Sequence, residues 1–247
     1  MNILNKKYLA GICHPPRVSY KIPTQRIGIH KIKKSINRIH VSEKSLKGRE
    51  VLKDISCVME SGKIYGLYGH NGSGKTMLMR CILGLIHIDH GNIIIDGKKL
   101  GKDIDFPQSV GAIIENPIFF PYATGFENLK ILADIKGVIG EKEIREVLRK
   151  VGLDDQDNRT VSKYSLGMRQ RLAIAQAVME KPQLLVLDEP TNALDEDGII
   201  MFKKIIMEEV KRGALIILAS HHREDIDQLS DVRIKLSDGK IVEEREK

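Results

Sequence analysis

The sequence predicts an α/β fold built around a phosphate-binding loop, and three observations predict it. A glycine-rich octet, Gly69-His70-Asn71-Gly72-Ser73-Gly74-Lys75-Thr76, stands between an apolar run, Ile64–Tyr68, and a run with helical spacing, Met77–Leu83. A second apolar run, Leu184–Leu187, ends abruptly in Asp188-Glu189. Between strand-rich regions lies a block, 116–170, with few strand formers, which reads as a helical insertion.

Strand, glycine loop, helix is the context in which such an octet carries chemistry. Its glycines let the backbone fold tightly enough for several N–H groups to converge, and the positive end of the following helix adds to them, making a cavity for phosphate. Lys75 would reach the β- and γ-phosphates and the Thr76 hydroxyl would ligate Mg²⁺. The octet, with Met77 directly behind it, is expected to take a nucleoside triphosphate, ATP first among them. A fully buried parallel strand delivers its carboxylates at its C-terminal end, where ligands sit in open α/β sheets. Asp188 is thereby placed to hold the Mg²⁺ shell, and Glu189 to orient or deprotonate a water.

A chain of 247 residues suits one α/β domain, or one with an inserted subdomain, and its 42% hydrophobic and 30% charged content reads as globular. Aromatics are only 4%, with no Trp, leaving little stacking surface for single-stranded nucleic acid. Cys13, Cys57 and Cys81 are far apart and form no CxxC pair, so each reads as a small buried or tail residue in a reducing compartment. No apolar run approaches the roughly 18 residues that span a bilayer, and residues 1–10 make no secretory leader. The expectation is a cytoplasmic chain that reaches a membrane only through another polypeptide. The formal charge of +7 belongs to one end: residues 1–42 carry nine Lys/Arg and no Asp or Glu, leaving 31 basic residues against 33 acidic ones in the rest. No nucleic-acid partner is therefore expected for the domain. Residues 1–38 alternate basic and isolated apolar residues around Pro15-Pro16 and Pro23, and read as a flexible extension.

From residue 39 the sequence is organised as one domain to 247. Ile39–Val41 and Val51-Leu52 read as short strands around a turn at Gly48, and Asp54–Met59 as another strand. Gly91–Lys98 is a strand with a tight Asp-Gly turn. His87, Asp89 and His90 are close in sequence, but a helix-to-strand loop offers no i,i+4 His pair, and they read as solvated. Val110–Ile114 is a buried strand ending at Glu115. Phe126–Lys136 reads as a helix with Asn128 and Lys130 outward and Leu129, Leu132 and Ala133 inward. Glu141–Val151 reads as a second, with Glu141–Arg145 and Glu146–Lys150 in the favourable i,i+4 order. Ser165–Glu180 is a long helical segment ended by Pro182, Ile199–Val210 another helix, and Ala214–Ala219 a buried strand ending at Ser220-His221-His222. Val232–Leu236 and Lys240–Val242 form a hairpin across Ser237-Asp238-Gly239.

In that order, residues 39–247 resemble the nucleotide-binding domain of ABC transporters. Gly69–Thr76 resembles its Walker A loop, Tyr164-Ser165-Leu166-Gly167-Met168-Arg169-Gln170-Arg171 its signature, and Leu184–Glu189 its Walker B strand. Asn192-Ala193-Leu194-Asp195 resembles its D-loop, and His221, after a strand and Ser220, its switch histidine. The resemblance implies a P-loop NTPase core with a mixed sheet, a small antiparallel β subdomain and an inserted α-helical subdomain. It also implies a head-to-tail dimer, of two copies or of this chain with a paralogous ATPase, around two ATP. Ser165 and Gly167 of one protomer would then face the γ-phosphate held by the other, Asp195 of the D-loop would be among the nucleotide-binding residues, Glu189 would polarise the attacking water, and His221 would contact the γ-phosphate. An integral-membrane permease on a separate chain is implied as partner. Soluble ABC ATPases of ribosomes or DNA are the rival class, as is a regulatory subunit that binds ATP without turnover.

Three departures from the family pattern stand out. Glu115 occupies the position usually held by the Q-loop Gln, where a carboxylate could touch Mg²⁺ or its water. Leu166 replaces a signature Gly, and Leu46 falls where an adenine-stacking aromatic is usual. Glu115 with Pro117, the run Pro121–Leu129 and Tyr164–Met168 resemble the bacitracin and lantibiotic self-protection branch, which implies export of an antimicrobial peptide or similar amphiphile.

Overall fold

The computed structural model describes residues 36–46, 49–115, 117–221 and 223–247. The basic extension read over residues 1–38 therefore lies outside the described residues up to 35, and the described structure begins with the strand at Ile36.

Two sheets carry the fold. β1 (Ile36–Leu46) and β2 (Arg49–Glu60) form a long antiparallel hairpin, joined by β4 (His90–Ile95) and β5 (Lys98–Lys99) in the order β2-β1-β4-β5. The second sheet runs β10 (Lys240–Glu246), β9 (Val232–Ser237), β3 (Ile64–Tyr68), β8 (Leu215–Ala219), β7 (Leu184–Asp188), β6 (Val110–Ile113). Its strands are parallel except β10, which pairs antiparallel with β9. The mixed sheet and the small antiparallel sheet are those expected.

Strand alternation divides the interior in two. Leu185, Leu187, Ile216 and Leu218 face one core, with the helices α2 (Gly125–Lys136), α3 (Glu141–Lys150), α4 (Leu166–Val178) and α5 (Glu196–Arg212). Leu184, Val186, Leu215 and Ile217 face the other, between the two sheets. The helix α1 (Lys75–Ile82) packs into this second core through Leu78, Met79, Cys81 and Ile82, all buried, while Thr76, Met77 and Arg80 stay partly exposed. Each such fully buried aliphatic side chain is worth about 1.5–3 kcal/mol over leaving it exposed.

Several elements differ from the sequence reading. The two short strands read on either side of Lys53 are one strand of twelve residues, because Asp54 takes a left-handed φ of 46° and the ladder resumes beyond it. Strand β10 continues to Glu246, and a short helix, α6 (Arg223–Leu229), fills the stretch after His222 that carried no expectation. Asn128, read as outward, is 3% exposed: its amide receives the Phe120 N–H at 2.8 Å and donates to Phe120 O at 3.1 Å and Thr124 O at 2.9 Å. A polar residue here satisfies the backbone of the preceding loop instead of facing water. The two i,i+4 pairs expected on α3 give way to longer reaches. Arg145 donates to Asp155 O at 2.7 Å and stacks over Phe126, while Lys150 pairs with Glu208 of α5 at 2.8 Å. Asp89 is not simply solvated either, for it pairs with Lys44 at 2.7 Å and accepts from Ser45 N. Among the described residues no group of His, Cys, Asp and Glu is arranged to hold a metal on its own.

Candidate active site

The neighbouring parallel strands β3, β8, β7 and β6 end at the same edge of the sheet, and each delivers one part of the site. β3 runs into the glycine octet, β8 into Ser220-His221, β7 into Asp188-Glu189 and β6 towards Glu115. Sheet order thus gathers residues separated by up to 150 positions.

The octet folds as a loop because its glycines take values that side chains resist: φ is 149° at Gly69, 81° at Gly72 and 107° at Gly74. At Gly69 there is no room either, since a Cβ would collide with Leu236 O. The loop is buttressed from the β9–β10 turn, where Gly239 donates to Ser73 O at 3.0 Å and accepts from Lys53 N at 2.8 Å. Ser73 itself is buried, with a hydroxyl that has no hydrogen-bond partner. Lys75 curls back over the loop, its ammonium donating to Gly69 O at 2.8 Å and His70 O at 3.2 Å.

A cleft of about 460 Å³ opens beside this loop. Asn71, Gly72, Gly74, Lys75, Thr76 and Met77 line it together with Glu115, Asp188 and Glu189. Thr76 Oγ1 donates to Asp188 Oδ2 at 2.6 Å, so two hard oxygen donors meet at the cleft floor. Glu189 has φ 50°, held by its N–H on Ala219 O at 2.9 Å. Its Oε2 lies 2.8 Å from His221 Nδ1. Glu115, also left-handed at φ 57°, faces the cleft while its Oε1 contacts the Arg80 guanidinium at 2.5 Å. The side chain of His70 turns to Asn71 O at 2.9 Å.

Three expected site residues lie elsewhere in the chain. Ser165 is the N-cap of α4, its hydroxyl accepting from Met168 N at 3.2 Å, and neither it nor Gly167 lines the cleft. Asp195 caps α5: its carboxylate accepts from Gly198 N and from Arg171, each at 2.9 Å, and these two bonds hold it below the usual Asp range. Three further residues line the cleft that were read only as parts of a strand, the signature run and the D-loop, not as site residues. Val51 lines it from β2, Asn192 from the loop after Glu189, and buried Gln170 donates to Pro190 O at 2.7 Å. The Leu46 side chain and His222 lie outside the described residues.

The residues present fit a triphosphate with a hard cation. A loop carrying Lys75 and helix N-terminal N–H groups shares one cleft with the oxygen donors Thr76 and Asp188. Residues 52–192 match the family model described as ABC transporter. The chain belongs to that family. It is an ABC transporter ATP-binding subunit, and its enzymatic class is ATP hydrolysis. This ABC subunit is 50% identical over 198 residues to YybJ of Bacillus subtilis (strain 168), an uncharacterized ABC transporter ATP-binding protein, covering 80% of this chain and 91% of that one. To BcrA of Enterococcus faecalis, a bacitracin transport ATP-binding protein, it is 40% identical over 196 residues, covering 78% of this chain and 64% of the relative. To SrtF of Streptococcus pyogenes, a lantibiotic transport ATP-binding protein, it is 36% identical over 210 residues, covering 85% and 90%. The fold matches that of a bacterial ABC transporter cassette solved as a dimer, with a TM-score of 0.76 at 22% identity over 85% of this chain and 98% of that one.

Proposed function

We propose that this subunit works as half of a head-to-tail dimer that binds two ATP with Mg²⁺ and drives a separate membrane-spanning permease. One observation carries the proposal. Lys75, Thr76, Asp188 and Glu189 share a cleft, while Ser165 and Gly167 head a helix outside it. A helix N-terminus exposed away from its own chain's phosphate loop makes chemical sense where it meets a second phosphate loop. The dimeric cassette of the same fold supports this arrangement, either with a second copy or with a paralogous ATPase.

In this reading Lys75 leaves the Gly69 and His70 carbonyls for the β- and γ-phosphates. Thr76 and Asp188 would hold magnesium, which would supply charge neutralisation on the phosphate oxygens. Glu189, poised at a strand end beside His221, orients the attacking water and takes up its proton, and His221 holds the carboxylate and then the terminal phosphate. The partner's signature helix contacts the γ-phosphate, so dimerisation is favoured before hydrolysis and released after it.

The block 116–170 is the proposed permease-docking face. Ile118 is 94% and Tyr122 89% exposed, and with Phe120 they form an apolar surface directly after Glu115. Among the described residues no helix is long and apolar enough to cross a membrane, and in this reading the permease is a second chain. Place at the inner face of the cell membrane follows from that partner. The relatives named for bacitracin and lantibiotic transport support export of an antimicrobial peptide or drug-like amphiphile. Affinity purification from detergent-solubilised host membranes tests the class: co-recovery of a membrane-spanning polypeptide is expected, and recovery of ribosomes or DNA alone would overturn it. Deleting the protein is expected to raise the host's sensitivity to such peptides, and unchanged sensitivity would remove the substrate assignment.

A further inference from the structure

Arg80 and Glu115 form an ion pair that the ATP site, as assigned above, does not use. Arg80 lies four residues after Thr76 on α1, so the two side chains share a helix face. Thr76 reaches Asp188 Oδ2 at 2.6 Å, and one turn on, Arg80 Nη2 meets Glu115 Oε1 at 2.5 Å. Glu115 also lines the cleft that holds Thr76 and Asp188. Its carboxylate thus touches the Arg80 guanidinium and also lines the cleft where the hard cation would be held.

We propose that Arg80 is a positioning residue that sets how strongly Glu115 acts on the bound metal, and so sets the magnesium requirement of ATP binding. The inference rests on the ATP–Mg²⁺ reading of the cleft. A glutamine at this position would offer the cation a neutral oxygen, whereas Glu115 offers a full negative charge that also repels the triphosphate. Arg80 draws that charge onto itself, leaving the carboxylate in contact with both demands. The pair is partly open to water, with side-chain exposures of 30% for Arg80 and 61% for Glu115, so its influence is modest. Releasing Glu115 shifts the competition by about twofold to fivefold, the range of exposed ion pairs. Bound magnesium then gains a stronger ligand, and metal-free ATP meets an uncompensated charge.

Equilibrium binding of a fluorescent ATP analogue, titrated across magnesium concentrations on the full chain, reads this directly. Arg80→Gln is expected to lower the magnesium midpoint about twofold to fivefold and to weaken binding without magnesium. Arg80→Lys is expected to hold the wild-type midpoint. In the Glu115→Gln background Arg80→Gln is expected to change nothing, because the charge it governs is gone. Binding at saturating magnesium reports that each variant is folded. If Arg80→Gln leaves the midpoint in place, or shifts it equally with and without Glu115, the proposal is overturned while the ATP site stands. If the wild-type chain binds no nucleotide at any magnesium concentration, the ATP–Mg²⁺ reading itself fails.

Discussion

Replacing Asn128 by Ala should loosen the proposed docking loop without touching the nucleotide cleft. The Asn128 amide makes three good hydrogen bonds, to Phe120 N, Phe120 O and Thr124 O, at 2.8, 3.1 and 2.9 Å, and a weaker one to Ala123 O at 3.5 Å. Each good bond is worth about 1 kcal/mol net, and the loop peptides lose a partner that water replaces only in part. The change should therefore cost about 2–3 kcal/mol. With a urea slope near 2–3 kcal/mol per molar, the denaturation midpoint should fall by about 1 M. Limited proteolysis should cut first within residues 117–124, while ATP affinity stays that of the wild type. A midpoint shift below about 0.3 M, or cleavage that begins elsewhere, would refute the view that this one amide holds the loop.

Other outcomes follow from the site and the core. Lys75→Ala should abolish ATP binding in a filter or fluorescence assay, whereas Glu189→Gln should preserve binding and lower kcat by about 10²- to 10⁴-fold. Burial pushes the Cys57 thiol up to about 12 and the Cys81 thiol up to about 11. In a Cys13→Ser variant, neither should react with iodoacetamide at pH 8 until the chain is unfolded, as mass spectrometry would show. The Gly198 N–H and Arg171 lower the Asp195 pKa, so its contribution is present above the unfolded value of about 4 and is lost as pH falls through the folded one. Asp195→Asn should melt below the wild type at pH 7, and the gap should narrow below about pH 4.

What could be read in the sequence was what periodicity and local spacing encode. The octet, the Asp188-Glu189 strand end and the buried runs of β7 and β8 need only their neighbours to be recognised. The partners of Asn128, Arg145 and Lys150 are hidden from the pattern because they lie 4 to 58 residues away and, apart from the α2 cap Thr124, outside the residue's own helix. Polarity alone sends an Asn outward, and only the preceding loop, folded back on α2, makes its burial favourable. The contact of Gln170 is hidden for the same reason: nothing in the Tyr164–Arg171 run signals that Pro190 O lies 2.7 Å from its amide. Asp195, read as a site residue, has its carboxylate bonded to Gly198 N and Arg171, a fact that the D-loop pattern does not contain.

The arrangement of two chains around ATP is tested most directly by sedimentation of Glu189→Gln with and without ATP and magnesium. Its mass is expected to double on addition of nucleotide, while Ser165→Arg in the same background binds ATP yet stays at the monomer mass. Doubling that survives Ser165→Arg, or a monomer at saturating ATP in Glu189→Gln alone, would contradict it.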